Sequence, residues 1–203
     1  MTTKLSNRLN QILPRITDES FLSNEGIGNE IACYIFEYLA QDELQVREHI
    51  QVITNRLATH HSELRVLHLD LLEVGMAYLK KRGLLDKAIK MQASKGDSGV
   101  LRALKGPFAA EKIRDYIATE HNPADHDLVL LSGVGSVWPM LRAHSLLNCM
   151  HSVMGKAPLV MFYPGTFDGT TLKLFGQIAT TTSHPGKKPY YRAFTLIPAE
   201  TAV

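Results

Sequence analysis

Cysteine and tryptophan are scarce, and neither sign of charge dominates. Cysteine occurs twice, at Cys33 and Cys149, far apart and with no CxxC spacing. That excludes a disulfide-built scaffold and the usual thiolate metal knuckles. The opening MTTKLSNRLNQILPRI is broken by polar residues and lacks the apolar core of a secretory leader. A reducing cytoplasmic setting is therefore expected. No apolar run approaches the roughly 18 residues that a membrane span needs, so no membrane association is expected. Twenty-two lysines and arginines face 20 acids, a formal net charge of +2. A chain without a basic excess lacks the electrostatic footprint of a non-specific nucleic-acid binder, and DNA contact should be weak or indirect. No internal repeat is found. What is there is ordinary globular composition, 45% hydrophobic and 21% charged over 203 residues, the size of one domain.

Periodicity sorts the chain into elements. Leu5, Leu9, Ile12 and Ile16 recur at helical spacing, with Pro14 expected to stop the helix near Leu13. Gly26 to Asn29 reads as a loop, so residues 1–25 form an N-terminal helical segment and its connection. Residues 31–39 (IACYIFEYL) read as a buried strand. Asp42 with Gln45 resembles a capping box opening a helix over 42–60, whose core face is Val46, Ile50, Ile53 and Leu57. A second strand covers 65–69, ending against Asp70. Residues 71–120 form a helical, insertion-like region punctuated by Gly83, Gly96 and Gly106-Pro107. Strands follow at 127–132 and 158–163, separated by a helix with Leu146, Met150 and Val153 inward and Gly155 at its end. Residues 176–189 read as a flexible loop before a last strand at 190–197. Strands alternating with helices predict an α/β domain, a mostly parallel sheet with helices on both faces. The same alternation admits a P-loop-like core that has lost its phosphate loop.

Chemistry in such sheets gathers beyond the carboxyl ends of the strands. Two ends stand out, Ser132-Gly133-Val134-Gly135-Ser136 and Tyr163-Pro164-Gly165 running on to Asp168. Gly133, Gly135 and Ser136 resemble an anion-binding turn, with Arg142, His144 and Asp168 near enough in sequence to join it. Trp138 stands where a dinucleotide fingerprint needs a third glycine, and no GxxxxGK[ST] string occurs, so a purely steric turn is the competing reading. His144, Cys149 and His151 do not make a metal set, because two helical turns, about 10 Å, separate the histidines. Asp70 is a lone carboxylate, and Asp168-Gly169 reads most simply as a turn. No metal, cofactor or complete catalytic constellation is implied. Trp138 fits either core packing or a partner anchor. Partner contact is also open to the Leu5, Leu9, Ile12 stripe and to Lys187 and Lys188 of the 176–189 loop.

Taken together, GVGSVWPMLRAHSLLN (133–148), PLVMFYPGTFDGTTLKLFG (158–176), YYRAF (190–194) and the opening FLSNEGIGNEIACYIFEY (21–38) with DELQVRE (42–48) resemble the BrxB family of BREX phage-resistance systems. The resemblance runs from about Leu5 to Ile197. It implies a small cytoplasmic component of a multiprotein bacterial system that blocks phage DNA replication. Its companions would be an adenine methyltransferase, a large AAA+ ATPase and a PglZ-like protein of the alkaline-phosphatase superfamily, the last the expected direct partner. The resemblance brings no catalytic residues. The function expected is a non-catalytic adaptor. The alternatives are an anion- or nucleotide-sensing subunit using the 133–136 turn, or a DNA-contacting subunit using Lys80, Lys81, Arg82, Lys87, Lys90, Lys187 and Lys188.

Overall fold

In a computed structural model, residues 3–23, 32–176, 178–179 and 192–199 are described. Five parallel strands carry the fold: β1 (Ala32–Tyr38), β2 (Val66–Asp70), β3 (Leu128–Ser132), β4 (Leu159–Phe167) and β7 (Arg192–Thr195). Their spatial order is β2-β3-β4-β1-β7, every neighbouring pair parallel. β3 and β4 are buried almost throughout, which is why DLVLLS and PLVMFY are continuous apolar runs rather than alternating ones. Beyond the parallel ladder β4 runs on to pair antiparallel with β5 (Leu172–Leu174), which pairs with β6 (Ile178–Ala179).

The pleat divides the core in two. Tyr34, Phe36, Leu128, Leu130, Val160 and Phe162 face one layer, made of α1 (Thr3–Asn10), α2 (Ile12–Ile16), α3 (Glu19–Leu22) and α4 (Glu43–His60). Cys33, Ile35, Leu69, Val129, Leu131 and Met161 face the other, made of α5 (Leu71–Lys81), α6 (Leu85–Leu104), α7 (Ala110–His121) and α8 (Ala143–Met150). The expected two-faced α/β architecture is present, and residues 71–120 are the cover of one face.

Several elements differ from expectation. Pro14 does not end the helical stretch near Leu13. It lies in the first turn of α2, where a backbone donor is not needed, and Ile12 and Ile16 on either side are fully buried. Asp42 makes no side-chain cap: a 3-10 turn at Ala40–Asp42 leads into α4, and Gln45 donates to Ser6 instead. β4 passes through Pro164-Gly165 rather than ending there. A Cβ on Gly165 would lie 2.2 Å from the Lys173 carbonyl, so only glycine lets β5 fold back this closely. Val153 packs against the core just past the end of α8. Gly83 takes left-handed backbone just past the end of α5, and Gly96 breaks α6 internally with φ 64°; Gly155 is also left-handed but does not close α8, which ends earlier, at Met150. The Gly26–Asn29 loop, Lys187 and Lys188 lie outside the described residues, as does most of the 176–189 segment.

Candidate functional site

The carboxyl edge of the parallel sheet is the place where this architecture exposes loops to a ligand. Register alignment brings the end of β2 beside that of β3, Asp70 opposite Ser132. Asp70 Oδ1 accepts from the amides of Leu72 (2.8 Å) and Glu73 (3.2 Å), so the residue that reads as a lone acid is the N-cap of α5. Its other oxygen accepts from Ser132 Oγ at 3.4 Å, and Ser132 Oγ also meets His68 Nε2 at 2.9 Å. Desolvation holds the His68 imidazole below its usual pKa, opposed by the nearby Asp70 and Glu73 charges. The carboxylate engages the hydroxyl, whereas a nucleophilic triad would have it orient the imidazole. The three residues tie two strand ends together. His68 is a member that no sequence motif announces, since a histidine inside an apolar strand carries no spacing signal.

The 133–136 turn is closed by protein. Gly133 adopts φ 72°, and a Cβ there would stand 2.7 Å from Asp70 Oδ1. Over Gly135 the rings of Phe175 and Pro164 come within 3.1 Å of a Cβ position. The Ser136 amide is spent on the Gly133 carbonyl at 3.1 Å. With a carboxylate pressed against one glycine and two rings over the other, close packing alone requires both glycines, as the steric reading expects. The link from β1 to α4 holds no phosphate loop, since Leu39 and the Ala40–Asp42 turn contain neither glycine nor lysine.

Asp168 and His144 have hydrogen-bond partners outside the turn, and Arg142 lines a cleft with Lys105. Asp168 Oδ1 accepts from the amides of Thr170 and Thr171, at 3.0 and 2.7 Å, and shapes the β4–β5 hairpin. Those backbone donors, with the Thr170 hydroxyl, hold its carboxyl below the ordinary range. His144 Nε2 meets Asn148 Nδ2 at 2.9 Å, and burial lowers its pKa. His151 Nδ1 lies 2.8 Å from the Asn148 carbonyl. Cys33 is buried and its thiol pushed far up by desolvation; Cys149 is pushed up to about 11 for the same first reason. Such thiols are poor nucleophiles at neutral pH. Among the described residues no three histidine, cysteine or acidic side chains gather as a metal set.

The edge does carry exposed apolar side chains. Trp138 and Phe175 meet edge to face, centroids 6.1 Å apart at 84°, and each is 38% exposed. Leu39 beyond β1, Leu44 at the start of α4 (71% exposed) and Leu72 at the start of α5 stand at the same edge. Trp138 is thus a surface residue, and the core-packing option does not describe it. Leu5, Leu9 and Ile12 have the opposite fate: all three are buried in the layer formed with β1 and α4. Arg8 beside them reaches the carbonyls of Glu37 (2.9 Å) and Ile197 (3.0 Å). The stripe that could have met a partner is occupied by its own sheet.

The fold and this edge define a parallel α/β domain whose strand-end turns are filled by side chains and whose rim is aromatic and aliphatic. The family described as BREX protein BrxB matches residues 67–196. A BREX protein BrxB from Bacillus cereus (strain H3081.97) is 42% identical over 198 residues, covering 96% of this chain and 98% of that protein. Another from Escherichia coli O9:H4 (strain HS) is 39% identical over 194 residues, covering 96% of this chain and 92% of its own. The chain belongs to the BrxB family. No solved structure matches it. Among the described residues no helix is long and apolar enough to cross a membrane.

Proposed function

We propose that this BREX protein serves phage defence as a non-catalytic adaptor, docking a PglZ-like subunit through the carboxyl edge of its sheet. The observation that carries the reading is the Trp138–Phe175 pair, exposed on a rim that also presents Leu39, Leu44 and Leu72. Large apolar side chains exposed together are costly in water and are the usual anchors of an interface. Stable interfaces bury roughly 1,600 Å² in total, centred on a few aromatic or arginine anchors, and a rim spanning several strand ends can supply one side of that. The turn that a small ligand would need is meanwhile filled by Asp70, Phe175 and Pro164. A protein that assembles the system from its cytoplasmic side needs no active site of its own.

Co-purification tests this. Leu39→Ser and Leu44→Glu, combined in one chain, place polar groups on the rim at positions more than half open to solvent. The expected outcome is an unchanged melting temperature with loss of the PglZ-like subunit from the pulldown. Full retention of that subunit by the folded double variant would reject the docking surface.

A further inference from the structure

A second feature of the surface adjoins this rim at Pro139, the residue after Trp138, but shares no residue with it. Between the end of α6, the link into α7 and the residues entering α8 is a cleft of about 450 Å³. Leu101, Phe108, Pro139, Met140 and Leu141 give it apolar walls. Its charged side chains are Lys105 and Arg142, with the Ser145 hydroxyl beside them and no acidic residue in the lining. Four other cations among the described residues sit in ion pairs: Arg47 with Glu43, Arg65 with Asp127, Lys81 with Glu120, Arg114 with Asp115. The side chains of Lys105 and Arg142 make no hydrogen bond or ion pair among the described residues. Two like charges thus share one concave, partly apolar site with nothing to neutralise them. The first turn of α8 adds to this, since Arg142 at its N-cap gives no side-chain cap to the amides that follow.

We infer that this cleft binds a small organic phosphomonoester, its phosphate between Lys105 and Arg142 and its apolar body against Phe108, Pro139 and Met140. Charge selects the head group. A phosphomonoester carries about −1.5 to −2 near neutral pH and matches two cations, whereas a carboxylate matches one. The guanidinium fork and the lysine ammonium are the side chains suited to phosphate oxygens, and a serine hydroxyl completes the set. Size and lining select the body. The cleft falls within the range of about 300–1,000 Å³ typical of small-molecule sites, well beyond bare phosphate, and its wall mixes hydrocarbon with polar groups. The inference is independent of the adaptor reading, because no residue of the rim takes part.

Calorimetric titration of the full chain with phenyl phosphate and with adenosine monophosphate tests it, with benzoate and inorganic phosphate as comparisons. The expected result is saturable binding of at least one of the two esters, about tenfold or more tighter than either comparison, weakening as salt rises. Lys105→Ala with Arg142→Ala should reduce that binding about tenfold or more while leaving the melting temperature in place, since both side chains are exposed and unpaired. Backbone amide shifts on adding the ester should centre on residues 143–145. Neither ester binding by about 1 mM, equal binding of inorganic phosphate, or undiminished binding by the folded double variant would each overturn the site.

Discussion

Gly133 shows how much a single residue decides here. Its φ of 72° suits glycine, and the space where a side chain would begin is held by the carboxylate that caps α5. Gly133→Ala therefore meets two separate penalties, a left-handed backbone and a collision with Asp70. Together they should destabilise the fold by about 2–3 kcal/mol. Asp70→Ala alone loses the cap, worth about 1 kcal/mol. The two changes should not add, because removing the carboxylate leaves only the backbone penalty for the alanine. Chemical denaturation of both single variants and the double variant measures this. Strict additivity would mean that the carboxylate does not enforce the glycine. The same carboxylate accounts for a glycine after a buried strand on packing grounds alone.

At the scale of elements, the N-terminal helices are the instructive case. A stripe of Leu5, Leu9, Ile12 and Ile16 has to be covered by something, and periodicity alone does not say by what. The sheet covers it: Phe36 and Phe162 of the central strands lie in the same core layer as Leu9 and Ile12. Leu9 is 2% exposed, so Leu9→Ala cuts a buried isobutyl side chain back to methyl and should cost about 3 kcal/mol in the isolated protein. Thermal denaturation without any partner is the check, and an unchanged melt would detach the stripe from the core. The arrangement also separates two properties usually confused. α1 is amphipathic because it belongs to the fold, while the apolar residues free for partners are scattered over strand-end loops with no period at all.

The whole molecule is close to neutral, and its cations are dispersed. Lys80, Lys81 and Arg82 end α5, yet Lys81 is bonded to Glu120 of α7, and Arg65, Arg47 and Arg114 each have an acidic neighbour. A duplex needs several phosphates neutralised at once along a continuous face, and acids interleaved with the cations work against that. The isolated protein should bind duplex DNA with a Kd no tighter than about 10⁻⁵ M near 150 mM salt, falling off further as salt rises. Fluorescence anisotropy on a labelled duplex reads this. Nanomolar, sequence-specific binding under those conditions would return DNA contact to the centre of the function.

Sequence alone determined the layered α/β class, the boundaries of α4 to within a residue, the buried strands β3 and β4, and the glycine stop at Gly83. Each is a local consequence: apolar period, strand-like runs, and a backbone conformation favoured by one residue type. Four ordered blocks also carried the family, because similarity accumulates along a chain without reference to its shape. Tertiary structure decided the rest. It set the order β2-β3-β4-β1-β7, joined His68 to Ser132 and Asp70 across two strands, and closed the 133–136 turn with Phe175 from a hairpin some 40 residues later. It buried one apolar stripe and left Trp138 on the surface. Pairing, closure and exposure are relations between residues distant in sequence, and no local pattern encodes which of two apolar surfaces meets the other.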